Sequence, residues 1–275
     1  MSRGTLGPLS RKACTALRNR HGQIYPEVEH TVAACLWYGR FLLTESALAA
    51  HYGTSRTVAH EVLTKLERTG LIEQDSNQRW YAGPLTADRL RNHFEMRWLL
   101  EPAALGQAME TLSQAIVASR REHVKNAERR RERRPAKLER LEIELHVKTV
   151  LSCCNEELCE TIRRNQLPLI ATHSTFAGQH GPDEIETMLA NHLAIFDHIL
   201  ARRKKSAMTT LEQHIRRSLE PNIERLRKLG PLPEDQRPPF LVPAAPARRP
   251  FHRYDGRIKP ATTRLPEARQ RPGQQ

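Results

Sequence analysis

The chain has 275 residues, which is enough for two modest domains, and 39% of them are hydrophobic while 27% are charged. These proportions predict that most of the chain folds around a core. The lack of any run of about eighteen apolar residues argues against a membrane span. The first residues lack the apolar stretch of a signal peptide, so we expect a cytoplasmic protein.

The formal charge of +13 is concentrated in three segments. Residues 1–27 carry +4, residues 120–140 carry +6 and residues 231–275 carry +5, whereas the rest of the chain sums to −2. Basic segments of this kind attract phosphate backbones, but solvated flexible arms have the same composition. The sequence leaves both interpretations open for each segment.

The five cysteines form an odd and scattered set, which indicates reduced thiols rather than a disulfide framework. Cys153, Cys154 and Cys159 lie close together in the sequence. Such a group can react or bind a metal, but vicinal cysteines on an apolar helix face usually serve in packing.

The amino-terminal third predicts a winged helix-turn-helix. Residues 1–27 have no clean apolar period and contain glycines and prolines, so they are predicted to form a basic flexible arm. Residues 28–84 are assigned to the DNA-binding domain. Within it, apolar spacing and turn residues predict a helix, a second helix, a third helix and a hairpin, at residues 28–37, 44–51, 55–69 and 71–81.

The remainder predicts an all-α helical bundle followed by a tail. Residues 85–230 show only helical periods, and polar or broken joins such as the arginine-rich 120–134 separate the predicted helices, at residues 86–118, 137–164, 183–202 and 206–228. Residues 231–275 hold ten prolines, many arginines and few large apolar groups. That composition predicts a disordered tail. The fold class is therefore mainly α, a winged helix-turn-helix plus a helical bundle.

The third predicted helix has one apolar face, and its opposite face is polar. In a helix-turn-helix, the amino-terminal part of this helix enters the major groove. Arg56 is suited to a bidentate contact with guanine, whereas Ser55 and Thr57 are suited to phosphates. The candidate DNA-binding residues are those of the polar face and the wing tip, namely Ser55, Arg56, Thr57, His60, Thr64 and Arg79.

The motifs of this segment resemble those of the GntR family of bacterial regulators, which read roughly LxERxLAxxxGVSRxxVRxALxxLxxxGLV. The matching stretches are Leu43-Thr-Glu-Ser-Ala-Leu-Ala49, Gly53-Thr-Ser-Arg-Thr-Val-Ala59, Leu63-Thr-Lys-Leu-Glu67 and Gly70-Leu-Ile72. Ser46 and His60 stand where the family usually has arginines. Residues 41–86 carry a net charge of −1, which is unusual for a DNA-binding module.

Four residues of the second domain are predicted to form a metal site. Glu142 and His146 are four residues apart, which places them on one helix face. His192 and His214 are twenty-two residues apart, with a charged break between them near their midpoint. In an antiparallel helix pair, residues equidistant from the turn lie at the same level. One carboxylate and three imidazoles suit zinc, with nickel or manganese as alternatives.

The same residues resemble the FCD sensor domain of the GntR family, whose pattern is Asp-x-x-x-His and then two histidines about twenty-two residues apart, with Glu142 in place of the usual Asp. Arg97-Trp-Leu-Leu-Glu-Pro102 resembles the RxxLEP signature that opens this domain. The resemblance implies that a small organic acid completes the metal shell. Arg97 is a candidate second anchor for this effector, or else an ion-pair partner of Glu101. Asn155 matches the family's usual asparagine and is also assigned to effector binding.

These features predict a metal- and effector-responsive transcriptional regulator that acts on double-stranded DNA as a homodimer, without a membrane and without enzymatic activity. Two-fold symmetry is expected because a single helix-turn-helix reads too few base pairs. One alternative is a metal-binding sensor that has lost sequence-specific DNA reading. Another is a metal-dependent hydrolase, although no general base or nucleophile motif accompanies the site.

Overall fold

The structure, a computed structural model, describes residues 11–169, 172–176 and 178–245. Residues 1–10 of the predicted arm and 246–275 of the predicted tail lie outside this range. In chain order the elements are α1 Arg11–Cys35, β1 Phe41–Leu43, α2 Glu45–Tyr52, α3 Arg56–Arg68, β2 Ile72–Gln74, β3 Trp80–Ala82, α4 Ala87–Thr111, α5 Gln114–Arg129, α6 Pro135–Glu142, α7 Glu156–Gln166, α8 Thr172–Thr175, α9 Pro182–Leu200, α10 Lys204–Lys228 and β4 Leu241–Pro243.

The architecture is mainly α with one small antiparallel sheet, as the sequence predicts. The four strands are ordered β2-β3-β1-β4. Phe41 of β1 pairs with Ala82 of β3, and Leu43 of β1 pairs with Leu241 of β4. Strands β2 and β3 form the wing. In the part of the chain that the structure describes, no helix has the length and apolarity needed to cross a bilayer.

Helix caps fix the helix-turn-helix. The Ala47 N–H donates to Thr44 Oγ1 at 3.2 Å at the start of α2, and Gly53 ends this helix at φ +60°. The Val58 N–H donates to Ser55 Oγ at 3.2 Å, so α3 begins where the sequence predicts. The apolar face of α3 is buried against the core, which leaves its polar face outward.

The first helix is much longer than predicted. It begins at Arg11, so residues 11–27 are helical and do not form the expected flexible arm. The physical reason is a continuous apolar stripe: Ile24, Val28 and Val32 are spaced four residues apart and are all buried. Pro26 lies inside the helix without ending it.

Helices α4 and α10 pack closely, and Gly106 is the reason. A Cβ at this position would lie 2.9 Å from the Sδ atom of Met208, which is well inside van der Waals contact. Helices α9 and α10 form an antiparallel hairpin, because α9 ends at Leu200 and α10 begins at Lys204. The predicted hairpin break is therefore confirmed.

The basic segment 120–134 is not the polar join that the sequence suggests. Most of it belongs to α5, which ends at Arg129, and the long helix predicted over 86–118 divides at Leu112. Arg121 Nε donates to Asp197 Oδ1 at 2.5 Å, and Arg120 donates to the Lys148 carbonyl at 2.9 Å. These arginines are thus partly engaged in intramolecular contacts.

The segment that follows α10 is ordered as far as residue 245, in contrast to the predicted disorder of 231–275. Phe240 and Leu241 are each only 1% exposed. The Phe240 ring lies 5.1 Å from that of His51 and 6.0 Å from that of Tyr52, between ring centroids. Because β1 offers an open edge, two large apolar residues in a proline-rich segment suffice to form a fourth strand.

Candidate metal centre and DNA-contacting surface

The four predicted ligands come together in space. Each of them offers one ligand atom, and these four atoms all lie within 4.8 Å of one another. Three of the residues are buried histidines, and the carboxylate is partly exposed. The cluster consists of Glu142, His146, His192 and His214.

Four elements position these side chains, one for each ligand. Glu142 is the last residue of α6, and His146 lies in the π-helical turn Ile143–Val147 that follows directly. His192 and His214 face each other across the α9–α10 hairpin, with 3.4 Å between their Nε2 atoms. π-helical turns are rare, and they occur often at functional sites because they redirect side chains.

Glu101 determines which nitrogen of His146 faces the cluster. Its Oε2 atom lies 2.6 Å from His146 Nδ1, and Arg97 Nε donates to its Oε1 at 2.6 Å. Burial alone would raise the pKa of Glu101, but the neighbouring Arg97 and His146 lower it to about 2. The ionised carboxylate therefore accepts the Nδ1 proton, and the lone pair of Nε2 is directed at the cluster.

The chemistry of the donor set fits a divalent metal ion. His146 Nε2 is buried and makes no hydrogen bond within the described residues. Burial and the adjacent His192 lower the pKa of His214 well below its usual value, so its imidazole is neutral. Neutral imidazoles with converging lone pairs repel one another unless a cation lies between them. The site therefore has the character of a metal centre with three nitrogen ligands and one oxygen ligand.

Three residues of the cluster, Glu142, His146 and His214, line a cavity of about 320 Å³. Arg97 lines this cavity and also holds an ion pair with Glu101, so the predicted ion pair is present, and the effector contact of Arg97 stays a prediction. Asn155 does not line it. Its side chain accepts a hydrogen bond from the Leu158 N–H at 3.0 Å and caps α7, which gives it a structural role in place of the predicted effector contact.

Three residues of this cavity were not singled out from the sequence. Gln166 is 2% exposed and donates to the His146 carbonyl at 3.0 Å, whereas its Oε1 has no partner among the described residues. Arg225 is buried and pairs with Glu184. The spacing could have indicated Arg225, because it follows His214 by eleven residues, close to three full helical turns.

The polar face of α3 is exposed, but two of its residues contact an acid. Arg56 Nη2 lies 3.4 Å from Glu45 Oε2, and His60 Nδ1 lies 2.9 Å from Glu45 Oε1. The side chains of Arg56 and His60 remain 75% and 56% exposed. They are therefore accessible to a DNA backbone or base edge.

The other DNA-contact candidates differ in their surroundings. Thr57 is exposed and Thr64 is half-buried on α3, whereas the Ser55 hydroxyl is used to cap the helix. Arg79 lies at the exposed tip of the wing, and its Nη2 is 2.7 Å from Asp75 Oδ2. Among the candidates on α3, Arg56, Thr57 and His60 are therefore the ones that are exposed and not used to cap the helix.

The clustered cysteines are reduced, and two of them pack together. The Sγ atoms of Cys153 and Cys159 are 3.1 Å apart and both residues are buried, whereas Cys154 is exposed. Burial and the adjacent Cys153 raise the pKa of Cys159 to about 11. A protonated, buried thiol is consistent with the packing interpretation.

Known proteins share both the sequence pattern and the fold. The sequence profile of the FCD domain family matches residues 92–217. The Nta operon transcriptional regulator of Aminobacter aminovorans is 25% identical over 185 residues, which cover 67% of this chain and 86% of that protein.

Two solved structures have the same fold. Escherichia coli McbR/YncC has a TM-score of 0.60 at 18% identity, and the match covers 76% of this chain and 97% of that one. A protein described as a GntR transcriptional regulator from Rhodococcus sp. RHA1 has a TM-score of 0.53 at 16% identity and covers 76% of this chain and 98% of its own. The chain is thus similar to the FCD domain family over residues 92–217 and to a protein named as a transcriptional regulator over two thirds of its length, and it shares the fold of the two solved structures.

Proposed function

We propose that this chain is a transcriptional regulator of the GntR type and not an enzyme, that it binds DNA as a homodimer, and that a small carboxylate, held by a divalent metal ion, controls its binding. The observation that carries the proposal is the convergence of four ligand atoms within 4.8 Å beside a cavity, in a chain with an exposed recognition helix. A regulator that is controlled by a ligand needs a cavity for the ligand and a helix that contacts DNA, and this chain has a candidate for each.

The ion would be held by Glu142, His146, His192 and His214. Zinc is the metal we expect, with nickel or manganese as alternatives, because imidazole and carboxylate ligands suit all three. A bound ion would supply a Lewis acid for the effector carboxylate, since four protein ligands leave coordination positions open on an octahedral ion. Arg97, which lines the same cavity, would add a positive charge beside the effector.

The relatives support a role in transcription, since one of them is named a transcriptional regulator of an operon. The polar face of α3 and the tip of the wing would make the DNA contacts, through Ser55, Arg56, Thr57, His60, Thr64 and Arg79. Met96 and Leu99 on α4 are exposed apolar residues three positions apart, which is consistent with a homodimer contact. Sedimentation at micromolar concentration is expected to show a dimer, and a monomer would contradict this part of the proposal.

A second candidate is a metal-binding sensor without sequence-specific DNA reading. The observation that favours it is Glu45, whose carboxylate contacts both Arg56 and His60 and offsets their positive charge. Selection of genomic DNA fragments by the purified protein distinguishes the two candidates. One enriched palindrome supports the regulator, and unselective recovery of fragments supports the sensor alone.

The selection is repeated with two variants. Arg56→Ala is expected to abolish enrichment, because this side chain is a cation near the start of α3 and is 75% exposed. Arg91→Ala is the matched control, since Arg91 is an exposed arginine of α4 that pairs with Asp88. Equal enrichment by both variants would show that α3 does not read the operator.

Metal content tests the sensor site directly. His192→Ala and His214→Ala each remove one nitrogen ligand, so elemental analysis should find metal content sharply reduced from one ion per chain. His198→Ala is the control, because His198 lies on the same helix as His192 but outside the cluster. Full metal content in either ligand variant, or a metal-free wild type purified without chelator, would refute the metal site.

A further inference from the structure

The cavity beside the metal cluster is long, and its far end is also cationic. Along α10 its wall runs from His214 to Arg225. Eleven residues of α-helix rise about 16 Å and turn about 20° past three full turns, so the two side chains lie on one face. The effector site therefore extends well beyond the first carboxylate that a metal ion would hold.

The far end is a built polar site and not a solvent-exposed rim. Arg225 is 7% exposed, and Asn222 beside it is 9% exposed. Arg225 Nη1 donates to Asn222 Oδ1 at 3.4 Å, and a second nitrogen pairs with Glu184. Its Nε has no hydrogen-bond partner among the described residues, although it is buried. A buried guanidinium with an unused donor is the group that recognises a carboxylate most readily.

Apolar side chains also line the cavity. Phe94, Met188 and Ile215 are among them, and all three are buried. Gln166 contributes an acceptor that the described residues do not use, at the end nearer to His146. A ligand that matches this wall has an acidic group at each end and an aliphatic segment between them.

One side of the Arg225 guanidinium is already paired with a carboxylate. Burial by itself would raise the pKa of Glu184, but hydrogen bonds from His180 and Arg225 lower it to about 2. Glu184 is therefore ionised and uses one side of the Arg225 guanidinium. The guanidinium has five N–H donors, so the Glu184 pair leaves others available for a second carboxylate.

We propose that the effector is an elongated organic dianion, with one carboxylate at the metal cluster and a second acidic group at Arg225. This inference rests on the proposed function, because the first carboxylate needs the metal. The volume of about 320 Å³ suits a small metabolite rather than a lipid or a nucleotide-sized cofactor. An acid of two or three carbons can reach only one end of a site that is about 16 Å long.

Calorimetric titration of the zinc-loaded dimer tests the inference. The probes are linear α,ω-dicarboxylates of increasing chain length, each compared with the monocarboxylate of the same length. For the wild type we expect one intermediate dicarboxylate to bind roughly 10- to 100-fold more tightly than its monocarboxylate, as one charge-assisted contact predicts. Equal affinity for mono- and dicarboxylates at every length would overturn the inference and leave the proposed function intact.

Variants of α10 locate the second contact. Arg225→Gln should remove the preference for the dicarboxylate while keeping the affinity for the monocarboxylate, and that retained affinity also shows that the variant is folded. Arg225→Lys, which keeps the charge beside Glu184, should retain part of the preference. Arg227→Gln is the matched control, because Arg227 is 56% exposed and pairs with Glu224.

Two further results would overturn the inference. A full preference for the dicarboxylate in Arg225→Gln would overturn the inference, since the second acidic group would then bind elsewhere. If no carboxylate binds the zinc-loaded protein at any length, the effector role in the proposed function fails, and the inference fails with it.

Discussion

Replacing Phe240 with alanine is expected to destabilise the winged-helix part, although Phe240 follows the helical domain in the sequence. The side chain is 1% exposed and contacts the rings of His51 and Tyr52. Truncating a buried phenylalanine costs about 3–5 kcal/mol, of which roughly half is lost burial and the remainder is the cavity left behind. At a urea dependence of about 2 kcal/mol/M, the midpoint should fall by roughly 1.5–2.5 M.

Tryptophan fluorescence during urea unfolding measures the loss of stability in the winged-helix part. The chain has three tryptophans, and Trp98→Phe leaves Trp37 and Trp80, which are buried near the sheet. Val242→Ala in the same background is the control, because Val242 is 45% exposed and should cost less than about 0.5 kcal/mol. Equal midpoints for the Phe240 and Val242 variants would refute the role assigned to β4.

Three other predictions follow from specific contacts. A chain that ends at residue 245 should unfold like the full chain, since it keeps β4, and a lower urea midpoint would contradict this. Gly83→Ala should lower the free energy of unfolding by about 1–3 kcal/mol, as measured by thermal unfolding. Gly83 has a φ of +67°, and a Cβ there would lie 2.3 Å from the Gly39 carbonyl oxygen. Gly181→Ala, with open space around its Cβ, serves as the control and should leave the melting temperature nearly unchanged. Glu101→Gln should weaken zinc affinity roughly 10- to 100-fold, because the Glu101 carboxylate no longer orients the His146 ring. Unchanged affinity in a chelator competition would argue against this role of Glu101.

Local patterns in the sequence were sufficient to predict the helix-turn-helix and the grouping of the four candidate ligands. Ser55 and Gly70 mark the ends of α3 through capping and turn preferences, which depend on neighbours in the chain. His192 and His214 could be paired because a hairpin turn relates their positions symmetrically. In each case the information lay within one helix or across one tight turn.

The features that the sequence did not reveal depend on contacts between distant residues. Strand β4 exists because an edge of β1 lies close to the end of α10, and the proline content of its segment predicts disorder by itself. The π-helical turn around His146 has no clear signature in the apolar period. Asn155 is a case in which local geometry adds a role. Its match to the family's asparagine predicted an effector contact, whereas in the structure its side chain caps α7.

The winged-helix part is joined to the helical part at three places, and this restricts how the two can move. The chain itself connects β3 to α4, and Trp37 Nε1 donates to the Pro168 carbonyl at 2.8 Å while its ring meets that of Phe176 edge-on. The third connection is the segment from α10 to β4. Two bodies held at one point swivel freely, and two bodies held at two points retain one hinge axis. With three attachment points, a change in domain angle is expected to break one of them. We expect the contact of Trp37 and Tyr38 to break first, because it consists of two hydrogen bonds and one ring pair.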